Sequence, residues 1–206
     1  PVPDPQMIAL IAGTGDLPGV LAARLTAAGD PPVICAMQGF PPAVPGHLPR
    51  IDFRLETLGT LLSTLKMTGV TRLCLAGAVR RPQIDPAAVD AATAPLIPDL
   101  AAAMGKGDDG TLRAIIALLE QRGFTVVGAG DIAPDLLLAQ GVATVTQPSD
   151  ADRSMAPLAQ TRIADMGQRD SGQACIVRNG VVIAEEGPDG TDAMIARLLP
   201  PPANED

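Results

Sequence analysis

A glycine-containing loop lies between a short apolar run and a segment with helical periodicity, and it reads Gly13-Thr14-Gly15-Asp16-Leu17-Pro18. Glycines at such a turn allow the backbone to approach a phosphate, and the first turn of the following helix presents unpaired N–H groups to its charge. The sequence therefore predicts a phosphate-binding turn here. The alternative is that the glycines only form a tight connection between a strand and a helix.

This loop departs from the dinucleotide-binding fingerprint in two ways. The fingerprint has a third glycine at the position held by Pro18, and an acidic residue near the end of the second strand that binds a ribose. The second predicted strand ends at Met37-Gln38-Gly39, which contains no acid. An NAD-dependent dehydrogenase is therefore disfavoured.

Two further polar loops follow predicted strands or precede predicted helices. Gly77 ends an apolar run and is followed by Arg81, whose guanidinium group is suited to a bidentate contact with a phosphate. Lys106-Gly107-Asp108-Asp109 precedes a helix, and it predicts a polar site formed by the lysine and a carboxylate. The alternatives are a solvated arginine at the first loop and an aspartate that caps the helix at the second.

A third group of polar residues brackets a predicted hairpin near the C-terminus. Asp170-Ser171-Gly172-Gln173 precedes the hairpin, and Glu186, Thr191 and Asp192 follow it. Glu186 and Asp192 carry the hard oxygen ligands that Mg²⁺ or Mn²⁺ prefers. The alternative for Thr191 or Asp192 is to cap the last helix.

The elements that must position these residues alternate between short apolar runs and helical segments. Apolar runs predict strands over 7–12, 32–37, 72–79 and 124–129, and helical periodicity covers 20–28, 55–67 and the later part of 105–123. This alternation predicts an α/β fold with a Rossmann-like, doubly wound, mostly parallel sheet.

The pattern changes after about residue 140, which predicts a first domain over 1–140 and a second unit over 141–206. The second unit contains a predicted helix over 150–167, a hairpin at Asn179-Gly180 and a final helix after Gly190. We expect this unit to be a linker followed by an incomplete C-terminal α/β domain.

The composition excludes several classes of protein. A net charge of −8 and only three aromatic residues argue against binding to nucleic acid. Cys35 and Cys74 lie in apolar runs and predict reduced thiols in a reducing compartment. No segment is apolar and long enough to span a membrane, and the N-terminus has no signal-peptide pattern. We therefore expect a cytoplasmic protein.

Five motifs in this order and spacing resemble the LpxI family: IAGTGDLP, LAGAVRRP, KGDDGTLR, DSGQACIV and EGPDGTDAMI. The resemblance implies a Rossmann-like N-terminal domain and a C-terminal α/β domain. It also implies metal-dependent hydrolysis of UDP-2,3-diacylglucosamine to UMP and 2,3-diacylglucosamine 1-phosphate (lipid X), in lipid A biosynthesis. The implied cofactor is Mg²⁺ or Mn²⁺. Any membrane contact is expected to be peripheral, and a homodimer is compatible with the sequence.

The resemblance also implies roles for individual residues. The implied catalytic residues are Lys106, Asp108 and Asp192, with Asp192 and Glu186 as metal ligands. The implied substrate-binding residues are Gly13, Thr14, Gly15, Leu17, Pro18, Gly77, Arg81, Gly107, Asp109, Gln173 and Thr191. Family members continue for roughly another 70 residues after the GTDAM segment. We therefore expect much of the catalytic domain to be missing, and a non-catalytic nucleotide- or glycolipid-binding module is the alternative.

Overall fold

The protein is described by a computed structural model over residues 7–80, 84–104, 108–169 and 171–198. Its contacts divide the chain into two compact units, and the division falls between Leu138 and Ala139. This lies two residues before the boundary predicted from the sequence.

The first unit is built on a five-stranded parallel sheet. Its strands are β1 (Met7–Ala12), β2 (Val33–Met37), β3 (Arg50–Phe53), β4 (Val70–Ala76) and β5 (Thr125–Val126). Their order across the sheet is β3-β2-β1-β4-β5, and every pairing is parallel. The chain therefore runs outward from β1 in one direction, returns, and continues outward from β4 in the other. This is the doubly wound Rossmann-like fold predicted from the sequence.

Helices cover both faces of this sheet. They are α1 (Leu17–Ala27), α2 (Leu58–Met67), α3 (Ile97–Met104), α4 (Asp108–Gln121) and the single turn α5 (Ala129–Ile132). One buried cluster joins the sheet to α2, α3 and α4, and a second joins the opposite face to α1 and to residues near α5. Strands β1 and β4 are nearly free of charged residues because both of their faces are covered.

The observed elements differ from the predicted ones in four places. Strand β3 was not predicted, because Arg50-Ile-Asp-Phe53 is short, follows a proline-rich loop and alternates charged with apolar residues at the sheet edge. Helix α3 was not predicted either, because prolines interrupt its surroundings. Strand β5 has two residues instead of the six predicted, and the helix predicted over 55–67 begins with a 3₁₀ turn at Leu55–Thr57.

The second unit contains a long helix, a hairpin and a short helix. Helix α6 (Asp150–Arg169) is followed by the antiparallel strands β6 (Cys175–Arg178) and β7 (Val181–Glu185), and then by α7 (Thr191–Ala196). Asn179 and Gly180 connect the strands with φ angles of 50° and 75°. Positive φ at both positions is typical of the type I′ turn that Asn-Gly pairs favour.

The buried cysteines agree with the prediction made from their apolar surroundings. Cys35 and Cys74 are buried, and burial raises the pKa of their thiols to about 12 and about 11, so both remain protonated and inert. Among the helices of the described ranges, none combines the length and the apolar character needed to cross a bilayer.

Candidate functional site

The first candidate site lies at the carboxyl edge of the parallel sheet, between β1 and β4. The order of the strands reverses there, and ligands of open α/β sheets bind at such a switch point. Because α1 leads from β1 to the parallel strand β2, and α4 leads into the parallel strand β5, the first turns of both helices lie at this same edge. The fold therefore brings the loops after β1 and β4 and the start of α4 to one side of the sheet.

The loops after β1 and β4 are joined by backbone hydrogen bonds. The N–H of Thr14 donates to the carbonyl of Ala78 at 3.0 Å, and the N–H of Ala78 donates to the carbonyl of Thr14 at 2.9 Å. The Thr14 hydroxyl also donates to the Ala78 carbonyl at 3.1 Å, and the N–H of Gly13 donates to the carbonyl of Ala76 at 2.8 Å. The two loops form one structural element.

The close approach of the two loops leaves no room for a side chain at Gly13 or Gly77. A Cβ atom on Gly13 would lie 2.4 Å from the carbonyl oxygen of Ala78, and one on Gly77 would lie 2.6 Å from that of Thr14. Gly77 also has a φ of 89°, a conformation that other residues rarely adopt. Both glycines are therefore needed for the packing of the two loops against each other.

Gly15 differs from these two glycines. Its φ is 96°, and a Cβ atom added to it would meet nothing within 4 Å, so its backbone faces open space. Asp16, at the N-cap of α1, makes no side-chain capping hydrogen bond, while Leu17 is half-buried and Pro18 is buried. The first turn of α1 therefore begins beside an accessible backbone, as a phosphate-binding turn requires.

Of the predicted motif over 106–109, the structure describes only the two residues that begin α4. Asp108 and Asp109 are the first two residues of α4. Lys106 and Gly107 lie outside the described residues, and so does Arg81 from the loop after β4.

The second candidate site surrounds Glu186 in the second unit. One carboxylate oxygen of Glu186 accepts a hydrogen bond from the N–H of Gln173 at 2.7 Å, and the other accepts one from the Thr191 hydroxyl at 2.8 Å. These donors lower the pKa of Glu186, with Gln173 contributing most. Three of the predicted residues therefore lie together, and Asp192 follows at the exposed start of α7.

Helix α7 is not capped by either predicted residue. Gly190 is its N-cap, with a φ of 87°, and the Thr191 side chain is hydrogen-bonded to Glu186. The capping interpretation of Thr191 is therefore wrong. Its hydroxyl ties the start of α7 to the residue that follows β7.

The described residues do not assemble a preformed metal site. Within the described ranges, no three histidine, cysteine, aspartate or glutamate side chains lie close enough together to hold a metal ion. Both oxygens of Glu186 already accept hydrogen bonds from the protein. Asp192 is exposed, and a single carboxylate of this kind holds Mg²⁺ only together with other ligands such as substrate phosphates.

A groove that was not predicted lies at the carboxyl ends of β2 and β3. Its volume is about 740 Å³, and it is lined by Met37, Gln38, Gly39, Pro41, Arg50, Asp52, Phe53, Arg54 and Thr57. The alternation of charged residues at positions 50, 52 and 54 is the sequence signal that predicts a polar edge strand here. His47 lies in the preceding loop and is exposed.

The parallel sheet, its switch point and the joined loops define a Rossmann-like α/β protein, here followed by a smaller α/β unit. The family model described as the LpxI N-terminal domain matches residues 7–136, and the model described as the LpxI C-terminal domain matches 139–202. The chain is also 31% identical over 193 residues to a Caulobacter vibrioides protein named UDP-2,3-diacylglucosamine pyrophosphatase LpxI. That alignment covers 94% of this chain and 69% of the relative. The chain belongs to the LpxI family.

These matches correct one expectation about the second unit. The sequence predicted that much of the C-terminal domain is missing, because family members were expected to continue beyond the GTDAM segment. The C-terminal domain model nevertheless matches residues 139–202, so the match does not support that prediction. Residues 139–202 of the second unit therefore belong to the family's C-terminal domain.

Proposed function

We propose that this protein hydrolyses the pyrophosphate bond of UDP-2,3-diacylglucosamine and releases UMP and 2,3-diacylglucosamine 1-phosphate. The observation that carries this proposal is the family match across both units, together with the name of the Caulobacter vibrioides relative. In the reaction, a water oxygen bonds to one phosphorus while the bond from that phosphorus to the bridging oxygen breaks. The proton of the water is lost to solvent or to a base.

The switch-point loops support binding of the diphosphate. The accessible backbone at Gly15 and the first turn of α1 offer N–H donors to phosphate oxygens. The hydrogen bonds between Thr14 and Ala78 hold this turn in place before a ligand binds. Preorganised donors of this kind stabilise the negative charge that develops as the bond breaks.

Lys106, Asp108 and Asp192 are proposed as catalytic residues because they match the motifs of the family. Lys106 would neutralise charge on a phosphoryl oxygen, and a carboxylate would orient the attacking water or accept its proton. Arg81, Gly107, Asp109, Gln173 and Thr191 are proposed to contact the substrate.

Dependence on Mg²⁺ or Mn²⁺ is a separate proposal. Hard oxygen ligands at Glu186 and Asp192 favour these ions, but the described residues do not complete a ligand set, so substrate phosphates would have to supply further ligands. Hydrolysis should stop in EDTA and return with added Mg²⁺ or Mn²⁺. Unchanged hydrolysis in EDTA would contradict the dependence on metal while leaving the activity in place.

The proposed activity is tested by incubating the protein with UDP-2,3-diacylglucosamine and Mg²⁺ or Mn²⁺, and measuring UMP by ion-exchange chromatography. Saturable binding without release of UMP would favour the alternative, a non-catalytic nucleotide- or glycolipid-binding module. Hydrolysis in water enriched in oxygen-18 would show, from the labelled product, which phosphorus is attacked.

The proposed residues are tested by Lys106→Ala and Asp192→Asn. Each substitution should lower the rate of UMP release by at least about tenfold, because a single electrostatic contact in such a site contributes a few kcal/mol. Lys66→Ala is the matched control, since Lys66 is the other lysine of the chain and lies in the last turn of α2. Unchanged rates in both test variants would contradict these assignments.

A cytoplasmic location, peripheral membrane contact and a homodimer stay predictions.

A further inference from the structure

The groove at the ends of β2 and β3 combines apolar walls with free polar groups. Met37, Pro41 and Phe53 supply apolar surface, and Phe53 is buried beneath the groove. Its volume of about 740 Å³ falls within the range of roughly 300–1,000 Å³ that is usual for small-molecule sites. A small ring with one polar edge would fit this chemistry.

The base of the groove is held rigidly by the backbone. The N–H of Gln38 donates to the carbonyl of Phe53 at 2.8 Å, and the N–H of Phe40 donates to the carbonyl of Met37 at 3.0 Å. The Gln38 side chain is exposed and has no hydrogen-bond partner within the described residues. Its amide can therefore donate to and accept from the edge of a bound base.

Asp52 supplies the acid that the end of β2 lacks. It lies on β3 directly opposite Ala36 of β2, so it reaches the carboxyl edge from the neighbouring strand. One carboxylate oxygen, Oδ1, accepts hydrogen bonds from Nε and Nη2 of Arg50 at 2.9 and 2.8 Å. Among the described residues, nothing donates to Oδ2, and 69% of the side chain is exposed.

This arrangement matches what a ribose needs. In dinucleotide-binding sheets an acid near the end of the second strand accepts hydrogen bonds from ribose hydroxyls. Arg50 fixes the orientation of the Asp52 carboxylate and leaves its second oxygen free for that contact. Since neighbouring strands are about 4.8 Å apart, the groove lies roughly 5–10 Å across the edge from the phosphate-binding turn after β1.

We infer that this groove binds the nucleoside part of a uridine nucleotide, with Asp52 accepting from the ribose hydroxyls and Gln38 contacting the uracil edge. The inference rests on the proposed function, which identifies the nucleoside as uridine. It adds a binding site, Gln38 and Asp52, that the sequence motifs did not include. The diphosphate then lies toward Gly15 and the start of α1.

The test is calorimetric titration of the full chain with UMP and with 2′-deoxy-UMP. The unsubstituted protein should bind UMP more tightly than 2′-deoxy-UMP. Asp52→Asn should weaken UMP binding by about tenfold, as expected for a hydrogen bond to a charged group, and should abolish the preference for the ribose. Gln38→Ala should weaken the binding of UMP and of 2′-deoxy-UMP by a similar factor of about five.

Asp30→Asn is the matched control. Asp30 pairs with Arg72, as Asp52 pairs with Arg50, but it precedes β2 and so lies at the opposite edge of the sheet. This substitution should leave both affinities unchanged. Retention of the ribose preference in Asp52→Asn, unchanged UMP affinity in both groove variants, or tighter binding of AMP than of UMP would overturn the inference.

Hydrolysis assays separate this inference from the proposed function. If the protein releases UMP from the substrate and Asp52→Asn leaves KM unchanged, the groove assignment is wrong and the activity stands. If no hydrolysis occurs but UMP binding depends on Asp52, the groove assignment stands and the activity is wrong. A rise in KM with little change in kcat in Asp52→Asn supports both the groove assignment and the proposed activity.

Discussion

The two units of this protein hold their loops in place by different means. In the first unit, the loops after β1 and β4 are joined by backbone hydrogen bonds, and two glycines allow their close approach. In the second unit, the Glu186 carboxylate joins the segment before β6 to the start of α7. The first unit also has two extensive buried clusters, whereas the described part of the second buries only Met166 and Met194 fully.

This difference determines how each unit responds to mutation and to pH. Contacts between backbone groups contain nothing that titrates, so the switch-point loops are sensitive to steric change and insensitive to acid. A loop that is held by a carboxylate loses this stabilisation when the carboxylate is protonated. The first unit also contains carboxylate anchors, and Glu56 among them allows loops held by backbone groups and loops held by a carboxylate to be compared within one domain.

The largest effect is expected for Gly77→Ala. The new Cβ would lie 2.6 Å from the Thr14 carbonyl oxygen, at a residue with a φ of 89°. Backbone strain and the steric clash together should reduce the free energy of unfolding by about 3 kcal/mol. Urea unfolding followed by far-ultraviolet circular dichroism would measure this loss, since the chain contains no Trp or Tyr for fluorescence.

Gly46→Ala is the control for that substitution. Gly46 lies in the loop between β2 and β3 and has no positive φ, and a Cβ atom added there would meet nothing within 4 Å. The substitution should leave stability unchanged or raise it slightly. Equal destabilisation by the two substitutions would show that the joined loops are not a rigid element.

Glu56→Gln should have the next largest effect. Glu56 is buried and accepts a hydrogen bond from the N–H of Asp85 at 2.9 Å, and it is paired with Arg54 at 3.3 Å. These contacts, with that of Asp85 the largest, lower the pKa of Glu56 from 4.5 to about 2. A shift of this size corresponds to at most about 3–4 kcal/mol of stability, and screening by solvent reduces it, so the substitution should cost about 2 kcal/mol at neutral pH.

The stabilisation that Glu56 provides depends on pH in a defined direction. Because the folded pKa is depressed, the contribution of Glu56 is fully present above its ordinary pKa of 4.5 and is lost as the pH falls toward 2. The unsubstituted protein should therefore lose stability over this range more steeply than Glu56→Gln. Glu120→Gln, an exposed change on α4, is the control for the loss of a carboxylate elsewhere on this unit, and identical profiles for Glu56→Gln and the unsubstituted protein would contradict the role of Glu56.

The sequence predicted the buried part of the first unit well. Strand β1 was predicted at its observed bounds, and β2 and β4 were predicted within a few residues, because a strand covered on both faces must be continuously apolar. The edge strand β3 was missed because alternation with Arg50 and Asp52 dilutes that signal. The hairpin was predicted because Asn-Gly strongly favours one type of turn.

The candidate sites were predictable to different degrees. Strand order cannot be obtained from local patterns, so the sequence could place Gly13 and Gly77 in two loops but could not show that these loops are hydrogen-bonded. The groove with Asp52 depends on the register between β2 and β3, which is a property of tertiary pairing. The contacts of Glu186 were likewise inaccessible, because they join residues on either side of a hairpin.

Glu186→Gln should have a smaller effect, confined to the second unit. Gln173 and Thr191 lower the pKa of Glu186, so its contribution is present above the ordinary pKa of 4.5 and is lost as the pH falls through the lowered value. The glutamine should cost about 1 kcal/mol at neutral pH, as expected for weakening hydrogen bonds to a charged group. Hydrogen exchange of peptides covering α7 should become faster at pH 7, with no change in peptides of the first unit. Faster exchange in β1 and β4 would contradict this localisation.

The smallest effect is expected for Thr14→Val, which removes the hydroxyl that donates to Ala78 at 3.1 Å and retains the backbone bridge. One exposed side-chain hydrogen bond contributes about 0.5 kcal/mol, so stability should change little while the two backbone bonds keep the loops joined. Thr14→Ser retains the hydroxyl and should match the unsubstituted protein in the same urea titration. A loss as large as that of Gly77→Ala would show that the side chain, and not the backbone, joins the loops. The contrast between the two units would then disappear, because both would depend on a single side chain.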